Sequence, residues 1–202
     1  MTFDQVNEFV KDKLSPLLSG FRKHHSTQHA LLHMVEKWRR HLDNGETAAA
    51  LLMDLSKAFD SINHDLLIAK LDAYGFSKAA LGFIYSYLHE RKQRVDSDSI
   101  FSIWKDIEVG VLQGSILGPL LFNIYINDLL IETLEPSVNI CNYADDNTIY
   151  SASKSLTDCL CDLEHAMVSM SMVFREWFAI ECRQMQADRI WKEGSLFSQH
   201  SS

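Results

Sequence analysis

Cysteine, proline and glycine are all scarce in this 202-residue chain, at four, three and eight residues respectively. So little proline and glycine excludes a collagen-like or loop-dominated chain. Four cysteines, of which only Cys159 and Cys161 lie close together, are too few for a disulfide scaffold. A single C-x-C knuckle without a second one argues against a structural zinc site. No run approaches the ~18 uninterrupted apolar residues of a membrane span. The start, Met1-Thr2-Phe3-Asp4-Gln5, lacks the basic region and apolar stretch of a signal peptide. An intracellular protein (cytoplasm or nucleus) without membrane contact is expected. Positive charge is also in deficit: 19 basic against 27 acidic residues give a net charge of −8, which alone speaks against a nucleic-acid partner.

What is present is enough apolar material for a core, 47% of residues, with 23% charged. Periodicity predicts helices over 4–18 and 27–42. In the second, Ala30, Leu31, Met34, Val35 and Trp38 recur at the spacing of one buried stripe, with Ser26-Thr27 as its cap and Asn44-Gly45 as its end. His25, His29 and His33 share a face of that helix, but with no acidic or cysteine partner nearby a polar surface is the better reading. The run 47–54 is apolar and alanine-rich, ambiguous between helix and strand. Helices are expected over 63–73, 77–89, 118–133 and 155–178, with Pro119 tolerated in the first turn of the third. Strands are expected over 93–95 and 101–109, around a turn at 96–99, and over 138–150, around Asp145-Asp146. The end, 195–202, is expected to fray. Strands and helices interleave without a strict βαβ rhythm, which indicates an α+β fold.

The basic clusters Arg22-Lys23-His24-His25, Lys37-Trp38-Arg39-Arg40-His41 and Arg91-Lys92-Gln93-Arg94 read first as solvated faces. The acids are more informative. In Asn142-Tyr143-Ala144-Asp145-Asp146-Asn147-Thr148-Ile149-Tyr150 two adjacent carboxylates interrupt an apolar hairpin. Asp is common in turns, yet Asp-Gly or Asn-Gly would supply positive φ better and without like-charge repulsion. A hard divalent ion, held by one or two carboxylates, is the other explanation. Asp54 ends the 47–54 run; were that run a strand beside the 138–150 hairpin, Asp54 and Asp145 would meet at one edge, an arrangement suited to two ions in phosphoryl transfer. Gly110-Val111-Leu112-Gln113-Gly114-Ser115-Ile116-Leu117-Gly118-Pro119 places three glycines just before an apolar helix, a weak sign of close backbone approach.

Taken in order, these segments resemble the reverse transcriptases of non-LTR (LINE-type) retrotransposons. The likeness runs through Leu18-Ser19-Gly20-Phe21-Arg22, Ser26-Thr27, the block from Asp54 to Asp60, the block from Gln113 to Pro119, and Tyr143-Ala144-Asp145-Asp146, covering about residues 15–190. It implies a right-hand polymerase palm with partial fingers, an antiparallel sheet packed on helices. Its parts would be fingers helices in 1–45, palm in 46–178 and a truncated, divergent tail in 179–202. It implies DNA synthesis from dNTPs on an RNA template and DNA primer, with two Mg2+ or Mn2+ ions on Asp54, Asp145 and Asp146. Phe59 would be the steric gate against a ribose 2′-hydroxyl. Gln113, Gly114 and Ser115 would line the nucleotide pocket, and Tyr143 would stand near the primer end. The alternative for Phe59 and Tyr143, less favoured once the resemblance is given, is that they are core aromatics, since buried rings of this kind usually just pack.

The chain departs from the family pattern in three places. The resemblance implies that it starts too late to contain the upstream fingers region, with its basic residues for the triphosphate. Leu112 replaces the proline of Val-Pro-Gln-Gly. Arg189, too basic to donate a proton, stands where the family has a lysine in the segment Met185-Gln186-Ala187-Asp188-Arg189. The rival reading is therefore a catalytically inactive remnant that at most binds nucleic acid or protein. A diguanylate cyclase, which shares the palm topology, would need a Gly-Gly-Asp/Glu-Glu-Phe turn that this chain lacks. Oligomeric state is left open.

Overall fold

The computed structural model describes residues 3–55, 57–129, 136–178, 185–192 and 195–196. Its centre is a five-stranded antiparallel sheet in the order β6-β7-β1-β8-β9, formed by β1 (Thr47–Leu55), β6 (Val138–Tyr143), β7 (Asp146–Ser153), β8 (Met185–Lys192) and β9 (Ser195–Leu196). The ambiguous run 47–54 is thus a strand, and the reason is its position. Central between β7 and β8, β1 has helices over both faces, so it needs apolar residues on both, and small ones at Ala49 and Ala50 where both sides are covered. Between β1 and β6 run α3 (His64–Ala73), α4 (Lys78–Leu88) and α5 (Gly118–Ile126), and α6 (Leu156–Phe178) follows β7. The main-sheet elements therefore follow the β-α-β-β-α-β plan of a split βαβ unit.

Helix starts follow local chemistry. Ser26 caps α2 (Thr27–Asp43) by accepting from the His29 N–H at 3.2 Å. Asn63 accepts from Leu66 N–H at 3.0 Å at the head of α3, and Ser77 from Ala80 N–H at 3.3 Å at the head of α4. α5 is buried along nearly its whole surface, as expected of a helix apolar all round. It ends at Ile126, before the predicted end at 133; residues 130–133 of the expected helix lie outside the described residues. α6 packs on the sheet face that carries Ile149 and Ser151, where the Ser151 hydroxyl donates to Asp162 at 2.8 Å and Cys159 Sγ reaches Thr47 O. α2 covers part of the opposite face, with Trp38 edge-on to Tyr150 and Ala30 O beside Cys141 Sγ.

Several expectations are corrected. α1 (Phe3–Val10) stops eight residues before the predicted end, because Pro16 disfavours helix at Ser15 and the Ser15 N–H donates instead to Asn127 Oδ1 at 2.6 Å. The stripe read on α2 is not buried as a whole: Ala30 is buried, Met34 and Trp38 are partly covered, and Leu31 and Val35 face solvent. The hairpin 138–150 turns at Ala144-Asp145, so Asp146 already belongs to β7. Residues 195–196, expected to fray, pair with β8, and β8 pairs with β1, which extends the sheet beyond residue 178. Strands expected over 93–95 and 101–109 are two short ladders, β2 (Lys92–Gln93) with β5 (Lys105–Asp106) and β3 (Asp96–Ser97) with β4 (Ile100–Phe101).

A buried polar knot ties the helices together. The Lys70 ammonium donates to Asp128 at 2.7 Å and lies 3.4 Å from the centre of the Trp177 ring, while the Tyr74 hydroxyl donates to Asp128 at 3.0 Å. Burial pushes the Tyr74 phenol up to about 12, so it remains a donor. The Lys70 side chain is 8% exposed and that of Asp128 30%, so the pair is only partly desolvated. Lys70→Met, which keeps the packing but removes the cation, is expected to destabilise the protein by about 2 kcal/mol in urea unfolding, below the 3–5 kcal/mol of a fully buried pair. A change within 0.5 kcal/mol would show that the knot is not structural.

Candidate active site

The strand register sets the geometry. Asp54 of β1 is directly opposite Asp146 of β7, and Asp146 is in turn opposite Tyr143 of β6. Opposed residues of an antiparallel pair project to the same face, with Cβ atoms about 5 Å apart. Tyr143, Asp146 and Asp54 therefore form a row across three strands, on the face that α2 covers only farther along. Gln186 of β8 continues the register next to Asp54. Asp145 occupies the turn itself. Asp146 is exposed by area, yet desolvation is the leading cause that pushes its carboxyl above the ordinary value, followed by repulsion from Asp145 and then from Asp54. The three carboxylates thus share one electrostatic neighbourhood. Among the described residues, no three His, Cys, Asp or Glu side chains converge closely enough to hold an ion. Like charges gain nothing by converging without a cation between them.

The turn that presents these acids is braced from below. Ala144 takes a left-handed φ of 56°, unusual for a residue with a side chain. Two buried asparagines hold it: Asn142 Nδ2 donates to Ala144 O at 2.8 Å and to Asn147 Oδ1 at 2.9 Å, and Asn147 Nδ2 donates to Asp145 O at 2.9 Å. The loop 18–22 lies against the turn. Leu18 bridges Asn142, the Ser19 N–H donates to Asn142 O at 3.3 Å, and Gly20 packs on the Ala144 backbone so tightly that a Cβ there would be 2.4 Å from Ala144 N. Asn123 of α5 fixes this loop through a bond to Gly20 O at 2.9 Å.

From that loop the contacts pass to the remaining predicted residues. Phe21 meets Phe59 edge-on at 5.7 Å, and Phe59 stacks on Phe122 at 4.3 Å, so Phe59 is a half-buried member of an aromatic row. The Val111 N–H donates to Phe59 O at 2.8 Å, and Gln113 Nε2 donates to Asp60 Oδ1 at 3.1 Å. Gly110, with φ 88°, lies so close to the Asp60 backbone that a Cβ would be 2.7 Å from Asp60 O. His64, almost fully buried, has Nε2 2.7 Å from Gly110 O, the distance of a ring N–H donating to that carbonyl. The Ser115 hydroxyl is engaged locally, donating to Leu112 O at 2.7 Å and accepting from Gly118 N–H at 3.0 Å, so it closes the turn before α5.

A cleft of about 630 Å3 opens where Lys57, Asp60 and Gln113 face Arg91 and Gln93. Neither the three aspartates nor Phe59, Gly114, Ser115 and Tyr143 belong to its walls. The predicted residues thus fall into a carboxylate row and a Gln113 cleft, joined through Gly20, Phe21 and Phe59. Sequence reading assigned no role to Asn142, Asn147, His64 or Asn123. A signal did exist for the first two, since polar residues stand at positions where the strand alternation demands apolar ones.

The fold is of the palm polymerase type: an apo telomerase from Candida tropicalis matches it with a TM-score of 0.66 over 96% of this chain and 40% of that one, at 12% identity. The family model for reverse transcriptase (RNA-dependent DNA polymerase) matches residues 1–180, and the chain belongs to that family. Relatives include the RNA-directed DNA polymerases from mobile element jockey of Drosophila melanogaster and Drosophila funebris. The first is 31% identical over 163 residues, covering 78% of this chain and 18% of the relative; the second is 32% identical over 177 residues, covering 85% and 19%. The non-LTR likeness expected from the ordered motifs is borne out by these relatives. The chain spans less than a fifth of their length.

Proposed function

We propose that this chain is the palm portion of an RNA-directed DNA polymerase that adds dNTPs to a primer 3′-hydroxyl on an RNA template, with Asp54, Asp145 and Asp146 as the ligands of two Mg2+ or Mn2+ ions. The observation that carries this reading is the register that sets Asp54 opposite Asp146, one residue from the turn holding Asp145. The donor set fits hard divalent cations: all three groups are carboxylates, and burial first, then repulsion from Asp145 and Asp54, pushes the Asp146 carboxyl up, an imbalance a cation would relieve. When bound, such ions lower the pKa of the attacking hydroxyl and neutralise charge on the triphosphate.

The chain's own residues do the positioning. Gln113, held toward the cleft by Asp60, faces the base or sugar of the incoming nucleotide. Phe59, fixed between Phe21 and Phe122, is the rigid wall against which a 2′-hydroxyl would collide. Gly114 and Ser115 shape the turn beneath the nucleotide, and Tyr143, beside Asp146 in the register, supports the primer terminus. Residues 1–45 would serve as fingers elements and the segment from 46 as palm.

The inactive-remnant reading is favoured by one specific feature, Arg189 in place of a lysine that can give up a proton. Calorimetric titration with Mn2+, together with addition of a single dNTP to a primer on an RNA template, decides between the two. The polymerase reading expects saturable Mn2+ heat that Asp145→Asn weakens at least tenfold, and nucleotide addition that the same change removes. Superimposable titrations and no addition by either protein would leave the remnant.

A further inference from the structure

Residues 91–107 form a ribbon that stands away from the rest of the molecule. Every residue from 92 to 106 is exposed, and its ladders pair only within the ribbon, around a turn with Asp98 and Ser99 both at positive φ. A lone two-stranded ribbon is marginally stable in water, yet this one displays Val95, Ile100, Phe101, Ile103 and Trp104, each at least half exposed. Such a concentration of large apolar side chains marks a contact surface. Its chemistry is specific. The Arg94 guanidinium is 3.8 Å from the centre of the Phe101 ring and 4.6 Å from that of Trp104, and Arg91 stands 5.0 Å over Tyr87 at the ribbon's foot.

Charge divides along the ribbon. Its shaft carries Arg91, Lys92, Arg94 and Lys105 against one acid, Asp106, which Lys92 already pairs at 3.3 Å. The other two acids, Asp96 and Asp98, are confined to the tip. In a chain of net −8 the shaft is locally positive, with Glu90 and Glu108 just outside it at the ribbon's foot. Arg91, Gln93 and Asp106 also form one wall of the cleft that holds Gln113, so the shaft continues the cleft outward.

We infer that the shaft of this ribbon binds single-stranded RNA, with bases stacking on Trp104 and Phe101 and phosphates lying against Arg94, Arg91 and Lys105. Rings interleaved with cations form the platform that unpaired strands use, because every base has a face to stack and every nucleotide a charge to neutralise. A second protein copy is a poorer occupant: docking would desolvate the shaft's cations without setting a phosphate against each of them. The inference rests on the polymerase reading only in taking the strand to be RNA, and it requires neither metal nor chemistry.

Anisotropy of a labelled 20-nucleotide oligo(U) with the full chain tests it. Trp104→Ala and Arg94→Ser are each expected to weaken binding roughly tenfold. With about three phosphate contacts at about 0.7 each, affinity should fall with salt at a shallow logarithmic slope of about −2. Thermal melts should be unchanged, since the ribbon lies outside the core, and Mn2+ titration heats should match wild type, so failure here differs from failure of the metal reading. Unchanged RNA affinity in both variants overturns the inference. So does light scattering that shows the variants only converting a dimer to a monomer.

Discussion

Gly20→Ala is expected to lower stability by about 3 kcal/mol, the upper end of the overpacking range, and so to lower the melting temperature by roughly 6–12 °C for a chain of this size. The added Cβ would lie 2.4, 2.8 and 2.9 Å from the N, Cα and Cβ of Ala144. Two of these are backbone atoms, so no side-chain rotation relieves the overlap. Nor is the turn free to retreat, because Asn142 and Asn147 fix its carbonyls and Ala144 already occupies the left-handed region. The loop is equally confined by the bond from Asn123 to Gly20 O. Ser19→Ala, which keeps the backbone bond to Asn142, should change stability by less than 0.5 kcal/mol. Ala144→Gly placed in the Gly20→Ala background removes only the 2.9 Å contact and should rescue part of the loss. Because the displaced turn carries Asp145 and Asp146, Mn2+ affinity should fall with stability. A Gly20→Ala protein that melts with wild type would mean that the loop does not support the turn.

How much of this was legible in the sequence depends on whether a residue's partner is local or distant. Caps were legible because Ser26 acts on a backbone group within its own turn. The acids were legible because a doubled Asp in an apolar hairpin violates turn chemistry and so asks for another explanation. The strand character of 47–55 was not, since alanine is uninformative until helices are known to cover both faces. The early end of α1 has one local signal, Pro16, while Asn127, the acceptor of the Ser15 N–H more than a hundred residues away, leaves no local trace. The exposed Leu31 and Val35 show a related limit: helical spacing identifies an apolar face without saying whether anything covers it. Likewise the motif Leu18-Ser19-Gly20-Phe21-Arg22 was visible as a resemblance, while its physical task, supporting Ala144 and aligning Phe21 with Phe59, appears only when the loop and hairpin are seen together.

Asp54→Asn should remove the response to divalent ions and reduce any nucleotide addition at least about a hundredfold, more than the loss of a supporting residue around a metal would cause. Asp146 has a raised folded-state value, so between the unfolded carboxyl value of about 3.9 and that raised value the folded protein binds more protons than the unfolded chain. In this window the contribution of Asp146 to stability falls as pH rises; above it the carboxylate is charged in both states and the penalty is constant. In chelator-containing buffer, wild type minus Asp146→Asn should therefore show a stability difference that moves against wild type as pH climbs through the window. Asp54→Asn withdraws one of the two repelling charges and should shrink that slope, though by less than removal of the carboxyl itself, because desolvation and Asp145 contribute more. Adding Mg2+ should stabilise wild type at neutral pH and leave Asp54→Asn nearly unmoved, since the ion would have lost the only ligand supplied by β1. If Mg2+ stabilises both proteins equally, the ion does not bridge the strands, and the carboxylate row is a charged sheet edge rather than a metal centre.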